Sequence, residues 1–322
     1  MQSNSKTQQK EKKFDWANYI VYIAFVVVFL FFAITLGSSG FLSLNNILNI
    51  TRQTAMISIM AVAMTFVIGS GQIDLSVGSI TALSSLVAAL TITYTDSIAL
   101  SLLASLFTGA CIGGINGLLI TRVGIPSFLV TLGTMGIVRG FAMWTTNTAA
   151  VPVLDDTFNF LFGTGDIAGV PILFFWTVLI LVIGHITLRS TPYGKRTLAT
   201  GGNEIAAKYS GVNTQQIKLL VMMISGVAAS LAGMLYTGRM QAGRFSFGEG
   251  DELSVIAAVI LGGTSMAGGT GSVVGAVVGS LMMGMINNGL VIAGLSVSQQ
   301  MIVRGIIIIL AVALGNRYQK RD

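Results

Sequence analysis

The stretch GSGQIDLSVGS (69–79) sets an aspartate, Asp74, between two long apolar runs, AMISIMAVAMTFVI on its left and ITALSSLVAALTI on its right. Its reading depends on what those runs are. Of 322 residues, 53% are hydrophobic and only 9% charged, whereas a water-soluble domain carries roughly 25% charged residues. Such a chain cannot cover a water-facing surface. Apolar runs long enough for a hydrocarbon core of ~30 Å recur along it. The chain is therefore read as an all-α polytopic membrane protein.

Runs and their breakers give ten helices, near 19–36, 50–69, 76–93, 98–120, 125–146, 171–188, 218–238, 253–264, 272–291 and 299–315. They form a transmembrane domain over 19–315, flanked by a basic tail at 1–18 and a short tail at 316–322. The first run follows a basic stretch and lacks a small-residue cleavage site, so an uncleaved anchor is expected. Basic residues concentrate in the two tails, at Arg122 and in the 189–217 loop with Lys218, while the 147–170 loop holds Asp155, Asp156 and Asp166 without Lys or Arg. Both termini are thus expected on the cytoplasmic side. The same distribution argues that the net charge of +6 serves topology and not nucleic-acid binding. One cysteine (Cys111) and one histidine (His185) leave no disulfide framework, multi-histidine metal site or Ser-His-Asp triad.

Glycines four apart, at 109, 113 and 117 and at 271, 275 and 279, predict grooves where another helix backbone approaches closely. GTGSVVG (269–275) lacks the spacing and flanking strand of a nucleotide fingerprint. A faint repeat pairs GGINGLLI (113–120) and GIVRG (136–140) with GMINNGLVI (284–292) and MIVRG (301–305). An offset of five spans reverses direction in the membrane, so helices 2–5 and 7–10 would form an inverted repeat, with a substrate path between the halves.

Polar groups inside apolar spans face protein or water. Those expected along a translocation path are Gln72, Asp74, Ser76, Asn116, Asn287, Asn288 and Arg304. The opening stretch is either a plain cytoplasmic turn or a broken-helix segment lining a cavity, and its density of glycine and hydrogen-bonding groups favours the second. Ser70, Gln72, Ser76 and nearby backbone amides are the expected donors to Asp74. In the inner loop, NEIAAKYSG (203–211) reads as a short helix with Asn203 as cap, Glu204 and Lys208 as an i,i+4 pair, and Gly211 as its end.

Three ordered stretches, SGQIDLSVGS, YGKRTLATGGNEIAAKYSGV and DELSVIAAVILGGTSMAGGTGSVVGAVVGSLMMGMINNGL, resemble the permease subunits of bacterial ribose-type ABC importers. The resemblance runs from about 20 to 315. Two departures are Gln72, where a glycine is usual, and Ile205, where an arginine is common. The resemblance implies a multi-pass protein of the bacterial cytoplasmic membrane that carries a monosaccharide inward. It implies a second permease copy, identical or related, an extracytoplasmic sugar-binding protein, and an ABC ATPase on the cytoplasmic side. That ATPase would hold the ATP and magnesium, this chain binding no cofactor of its own. Tyr193, Gly194, Gly202, Asn203, Glu204, Ala207 and Gly211 would then belong to the ATPase-coupling loop. Independently, the sequence contains no G-x-x-x-x-G-K-[ST] phosphate cradle. The competing class is an ion-coupled secondary transporter of a small polar solute, for which Asp74, Arg139 and Arg304 are the ionisable candidates and no acidic partner is evident in a neighbouring span.

Overall fold

The computed structural model describes residues 20–319, so the predicted 1–18 tail lies outside the described residues, as do the last three positions. Ten apolar helices appear where the apolar runs predict them. α1 (Ile20–Leu36), α2 (Leu44–Gly69), α3 (Val77–Thr95), α4 (Ile98–Leu118) and α5 (Ser127–Thr145) come first. A segment with β1 (Val151–Pro152), the single-turn α6 (Asp156–Asn159) and a hairpin of β2 (Asp166–Ile167) and β3 (Val170–Pro171) leads into α7 (Ile172–Ser190). The loop that follows holds two helices, α8 (Pro192–Gly202) and α9 (Glu204–Tyr209), where the sequence suggested one. Then come α10 (Thr214–Met240), β4 (Ala242–Gly243), α11 (Asp251–Leu261), α12 (Val273–Ile292) and α13 (Val297–Gln319).

Among the described residues, eight helices are long and apolar enough to cross a membrane. The shortest of the ten is α11, with 11 residues. At 1.5 Å per residue it is about 16 Å long, half of a hydrocarbon core. Two expected boundaries move outward. α2 starts at Leu44, where the Ser43 hydroxyl accepts from the Asn46 amide at 3.3 Å, and α10 starts at Thr214, where the Asn213 side chain accepts from the Gln216 amide at 3.0 Å. A cap outweighs the polar residues of those first turns. The last helix likewise runs past 315 into the predicted tail. Its start accounts for the polar Gln299. Gln299 Oε1 accepts from the Ser296 amide at 2.8 Å while Ser296 Oγ accepts from the Gln299 amide at 3.4 Å, a reciprocal capping box.

α2 and α10 occupy the centre. α10 packs on α4, α3 and α2; α2 packs on α12, α7 and α11. α1 lies outside against α12, α5 leans on α3, and α13 on α11. The predicted glycine grooves are used. A methyl group on Gly109 or Gly113 would collide with the carbonyls of Gly226 or Met222 on α10, and one on Gly275 or Gly279 with those of Gly262 and Ala258 at α11. Counted by span, the packing repeats with an offset of five. The pairs α3–α4, α4–α10, α3–α10 and α3–α5 correspond to α11–α12, α12–α2, α11–α2 and α11–α13, with α2–α10 at the junction of the halves. That correspondence is what an inverted repeat of helices 2–5 and 7–10 requires.

Candidate functional site: a broken helix, an acidic loop and a helical inner loop

The seven residues between α2 and α3 belong to neither helix, yet Asp74 and Ser76 are fully buried. Asp74 Oδ1 accepts from the Ser76 amide at 2.9 Å and from Ser76 Oγ at 2.6 Å. Its Oδ2 accepts from Ser225 Oγ on α10 at 2.7 Å. Ser76 Oγ accepts in turn from Asn116 Nδ2 on α4 at 3.0 Å, and Asn116 Oδ1 accepts from Thr134 Oγ1 on α5 at 2.6 Å. Upstream, the Ile73 amide donates to Ser127 Oγ at 3.1 Å. One carboxylate thus sits at the head of a hydrogen-bond chain through α10, α4 and α5.

Depth follows from Ser225, which stands about 16 Å along a helix about 40 Å long. Asp74 is therefore level with the middle of α10, not at a surface turn. Irregular backbone at that level persists because protein covers it and satisfies its polar groups. Two of the donors expected for Asp74 are corrected. Ser70 Oγ donates to its own helix at the Val67 carbonyl, and Gln72 Nε2 to the adjacent Gly71 carbonyl. Ser225, Asn116 and Thr134 belong to spans far away in sequence, and nothing local announced them. Asn116 itself was legible as a lone amide in an apolar span.

Asn287 and Asn288 separate. Asn287 is half-buried. Asn288 is buried and exchanges two hydrogen bonds with Asn46 of α2, at 2.9 and 3.0 Å. Its amide, expected to look into a path, is instead satisfied by a helix–helix tie.

The third polar region was only partly foreseen. After β4, which pairs with β1 to close one end of the bundle, the chain turns back into the protein. Gly248 packs against Gly78 at the start of α3. Arg139 of α5 donates to the carbonyls of Phe245 and Phe247, the latter at 2.9 Å, and lies among the carboxylates of Glu249, Asp251 and Glu252. Tyr236 donates to Asp251 Oδ2 at 2.7 Å and stacks on Phe247. Both arginines of the repeated VRG, Arg139 and Arg304, are in electrostatic reach of Asp251. Arg304 Nε is buried without a hydrogen-bond partner among the described residues. The two arginines thus have acidic neighbours after all, at the start of α11 and, for Arg139, also at Glu249 just before it.

At the other end, α8 and α9 form the loop between α7 and α10. Asn203 Oδ1 caps α9 at the Ala206 amide, 2.9 Å, and Gly211 (φ 82°) follows its end, both as expected. Tyr193 of α8 stacks on Phe66, Gly194 packs on the end of α7, and Ala207 is buried. Glu204 is partly exposed and engaged within the chain. Its carboxylate meets Lys208 at 2.9 Å and Lys218 of α10 at 2.7 Å, and accepts from Thr214 at 3.2 Å. Burial raises its pKa, but the hydrogen bonds and charges of Lys218 and Lys208 outweigh that and draw it down to about 2. Gly201 and Gly202 touch Gly268 and Gly269 of the α11–α12 turn, and the Gly269 amide donates to the Gly69 carbonyl at 3.0 Å.

The chain matches, over residues 46–312, the family described as branched-chain amino acid transport system / permease component. It belongs to this permease family. Among curated relatives, the ribose import permease protein RbsC of Bacillus subtilis (strain 168) is 40% identical over 314 residues, covering 97% of both chains. RbsC of Escherichia coli (strain K12) is 40% identical over 286 residues, 88% of this chain and 89% of the relative. The L-arabinose ABC transporter permease protein AraH of Azospirillum brasilense is 36% identical over 300 residues, 93% of this chain and 88% of the relative. No solved structure matches. The permease is thus a multi-pass sugar-type ABC transporter subunit, and the broken helix, the acidic segment and the helical α8–α9 loop are features of one transport subunit.

Proposed function

We propose that this permease forms the membrane channel of an importer that carries a monosaccharide, ribose or a similar sugar, into the cytoplasm. The observation that carries the reading is the 40% identity to a ribose import permease across 97% of both chains. A separate ATPase docks on the α8–α9 loop and supplies the energy; the missing phosphate cradle supports this division of labour. An extracytoplasmic sugar-binding protein delivers the solute, and a second permease copy completes the channel. The tails and the 189–217 loop face the cytoplasm of a bacterial cell, as the basic residues argue. The path runs beside the 70–76 break, with Gln72, Asp74, Ser76 and Asn116 on one side and Arg304 towards the acidic loop. Asn287 flanks that path, and Asn288 holds its helix in place.

The test is uptake of radiolabelled ribose into vesicles holding the permease with or without its ATPase and binding protein. Uptake is expected only with both and with ATP. Robust uptake by the permease alone, driven by a proton or sodium gradient, would replace this reading with the ion-coupled carrier.

A further inference from the structure

The inner loop grips the broken helix at two places. At the first, Gly201 at the end of α8 lies against Gly69, where α2 stops and the break begins. A methyl group on Gly201 would collide with the Gly69 carbonyl and crowd Ser70 and the Gly269 amide. The second grip is longer. Glu204 at the start of α9 is paired with Lys218 of α10. Seven residues further along α10, two helical turns and therefore the same face, Ser225 donates to Asp74. Between those two positions α10 cannot bend freely, because Gly113 and Gly117 of α4 are seated on its backbone at Met222 and Leu219. Asn116 of the same stretch of α4 holds Ser76, the other partner of Asp74. α4 and α10 thus behave as one close-packed rod, and a displacement of α9 reaches the carboxylate without loss in a soft element.

We propose that Glu204 and Lys218 are positioning residues of coupling, which transmit a displacement of the α8–α9 loop through α10 and Ser225 to the Asp74 break. This rests on the proposed ATPase-driven import. In that scheme Glu204 is not a contact for the ATPase; it is the rivet between the docking helix and the rod. Its half-exposed position and its three partners within the chain fit such a joint.

The experiment uses the permease reconstituted in lipid vesicles with its ATPase and binding protein. A Gln72→Cys probe in a Cys111→Ala background reports the break through reaction with a water-soluble maleimide, with and without ATP plus vanadate. In this parent the reactivity at 72 is expected to change with nucleotide. Lys218→Met should abolish that change and lower sugar moved per ATP hydrolysed about tenfold, while the ATPase still copurifies. Lys218→Arg should restore both readouts. Ser225→Ala, which cuts the far end of the same route, should uncouple in the same way. Three outcomes would overturn the proposal: a normal nucleotide response and normal uptake in Lys218→Met, loss of ATPase copurification in that variant, or no rescue by Lys218→Arg. A parent whose uptake ignores ATP would overturn the importer reading, and this one with it.

Discussion

Asp74 carries more of the local architecture than any other single side chain. Its two oxygens take three hydrogen bonds, two from Ser76 at the start of α3 and one from Ser225 of α10. Single interhelical hydrogen bonds inside a membrane are worth only ~1 kcal/mol, so Ser225→Ala should leave the folded yield nearly intact. Asp74→Leu differs, because it strands the Ser76 amide and hydroxyl and the Ser225 hydroxyl in a dry interior, at ~1–3 kcal/mol for a buried group left unpaired. We expect Asp74→Leu to lower the yield of folded protein in detergent, measured by size-exclusion chromatography. Asp74→Asn, which keeps the shape and most acceptor capacity, should fold normally yet transport poorly. Wild-type yield and uptake in both variants would reduce the carboxylate to an incidental group.

Glu204 offers a residue-scale prediction of another kind. Its folded pKa, about 2, lies below the ordinary 4.5. The unfolded carboxylate therefore binds its proton first as pH falls, and the stabilisation by this group is complete above about 4.5 and fades towards about 2. The α9–α10 joint should hold unchanged across the neutral range. Hydrogen exchange of the α9 amides, compared between parent and Glu204→Gln, checks this. The parent should show protection that is flat from neutral pH down to about 5, and Glu204→Gln should be less protected throughout.

At the scale of elements, the helices divide by how their glycines are used. On α4, Gly113 has the Met222 carbonyl where a methyl would stand, whereas Gly133, Gly136 and Gly140 of α5 have open space. Gly113→Ala must push α4 and α10 apart, an overpacking cost of typically 1–3 kcal/mol, roughly the range for forced insertions into a packed core. Gly136→Ala meets nothing within the chain. A thermal-shift comparison should therefore show a clear loss for Gly113→Ala and none for Gly136→Ala; equal behaviour would contradict the close α4–α10 seat. The spacing of the glycines was plain in the sequence, but it does not by itself guarantee a seat, since nothing in the chain lies within 4 Å of where a methyl on Gly133, Gly136 or Gly140 would stand.

The whole molecule is arranged as two related halves meeting at α2 and α10, with polar loops at opposite ends. The loop after α7 carries exposed Lys195, and the segment before it carries exposed Asp156. In sealed vesicles of one orientation, Lys195→Cys and Asp156→Cys, each in a Cys111→Ala background, should react with an impermeant thiol reagent from opposite sides. Reaction from the same side would refute the topology and the placing of the docking loop. Cys111→Ala is a safe background, because Cys111 is exposed on α4 among apolar neighbours and not packed in the core.

The chain's amino-acid order determined the number of spans, their approximate ends, the short helix at 203–211 and the family, because hydropathy, caps and glycine spacing act over one or two turns and are written in adjacent residues. It also marked Asp74 and Asn116 as polar groups in need of partners. Which partners they found was a matter of tertiary structure alone. Ser225, Thr134, Asn46 and Lys218 each stand on a helix that does not hold their bonding partner, so their pairing is fixed by how helices pack and not by any local pattern. The same holds for Arg139 of α5, whose acidic neighbours come from the first turn of α11 and the residue Glu249 before it. Burial in a low-dielectric interior makes an unpaired polar group costly, so the sequence announces the need, and only the packed bundle decides which distant group answers it.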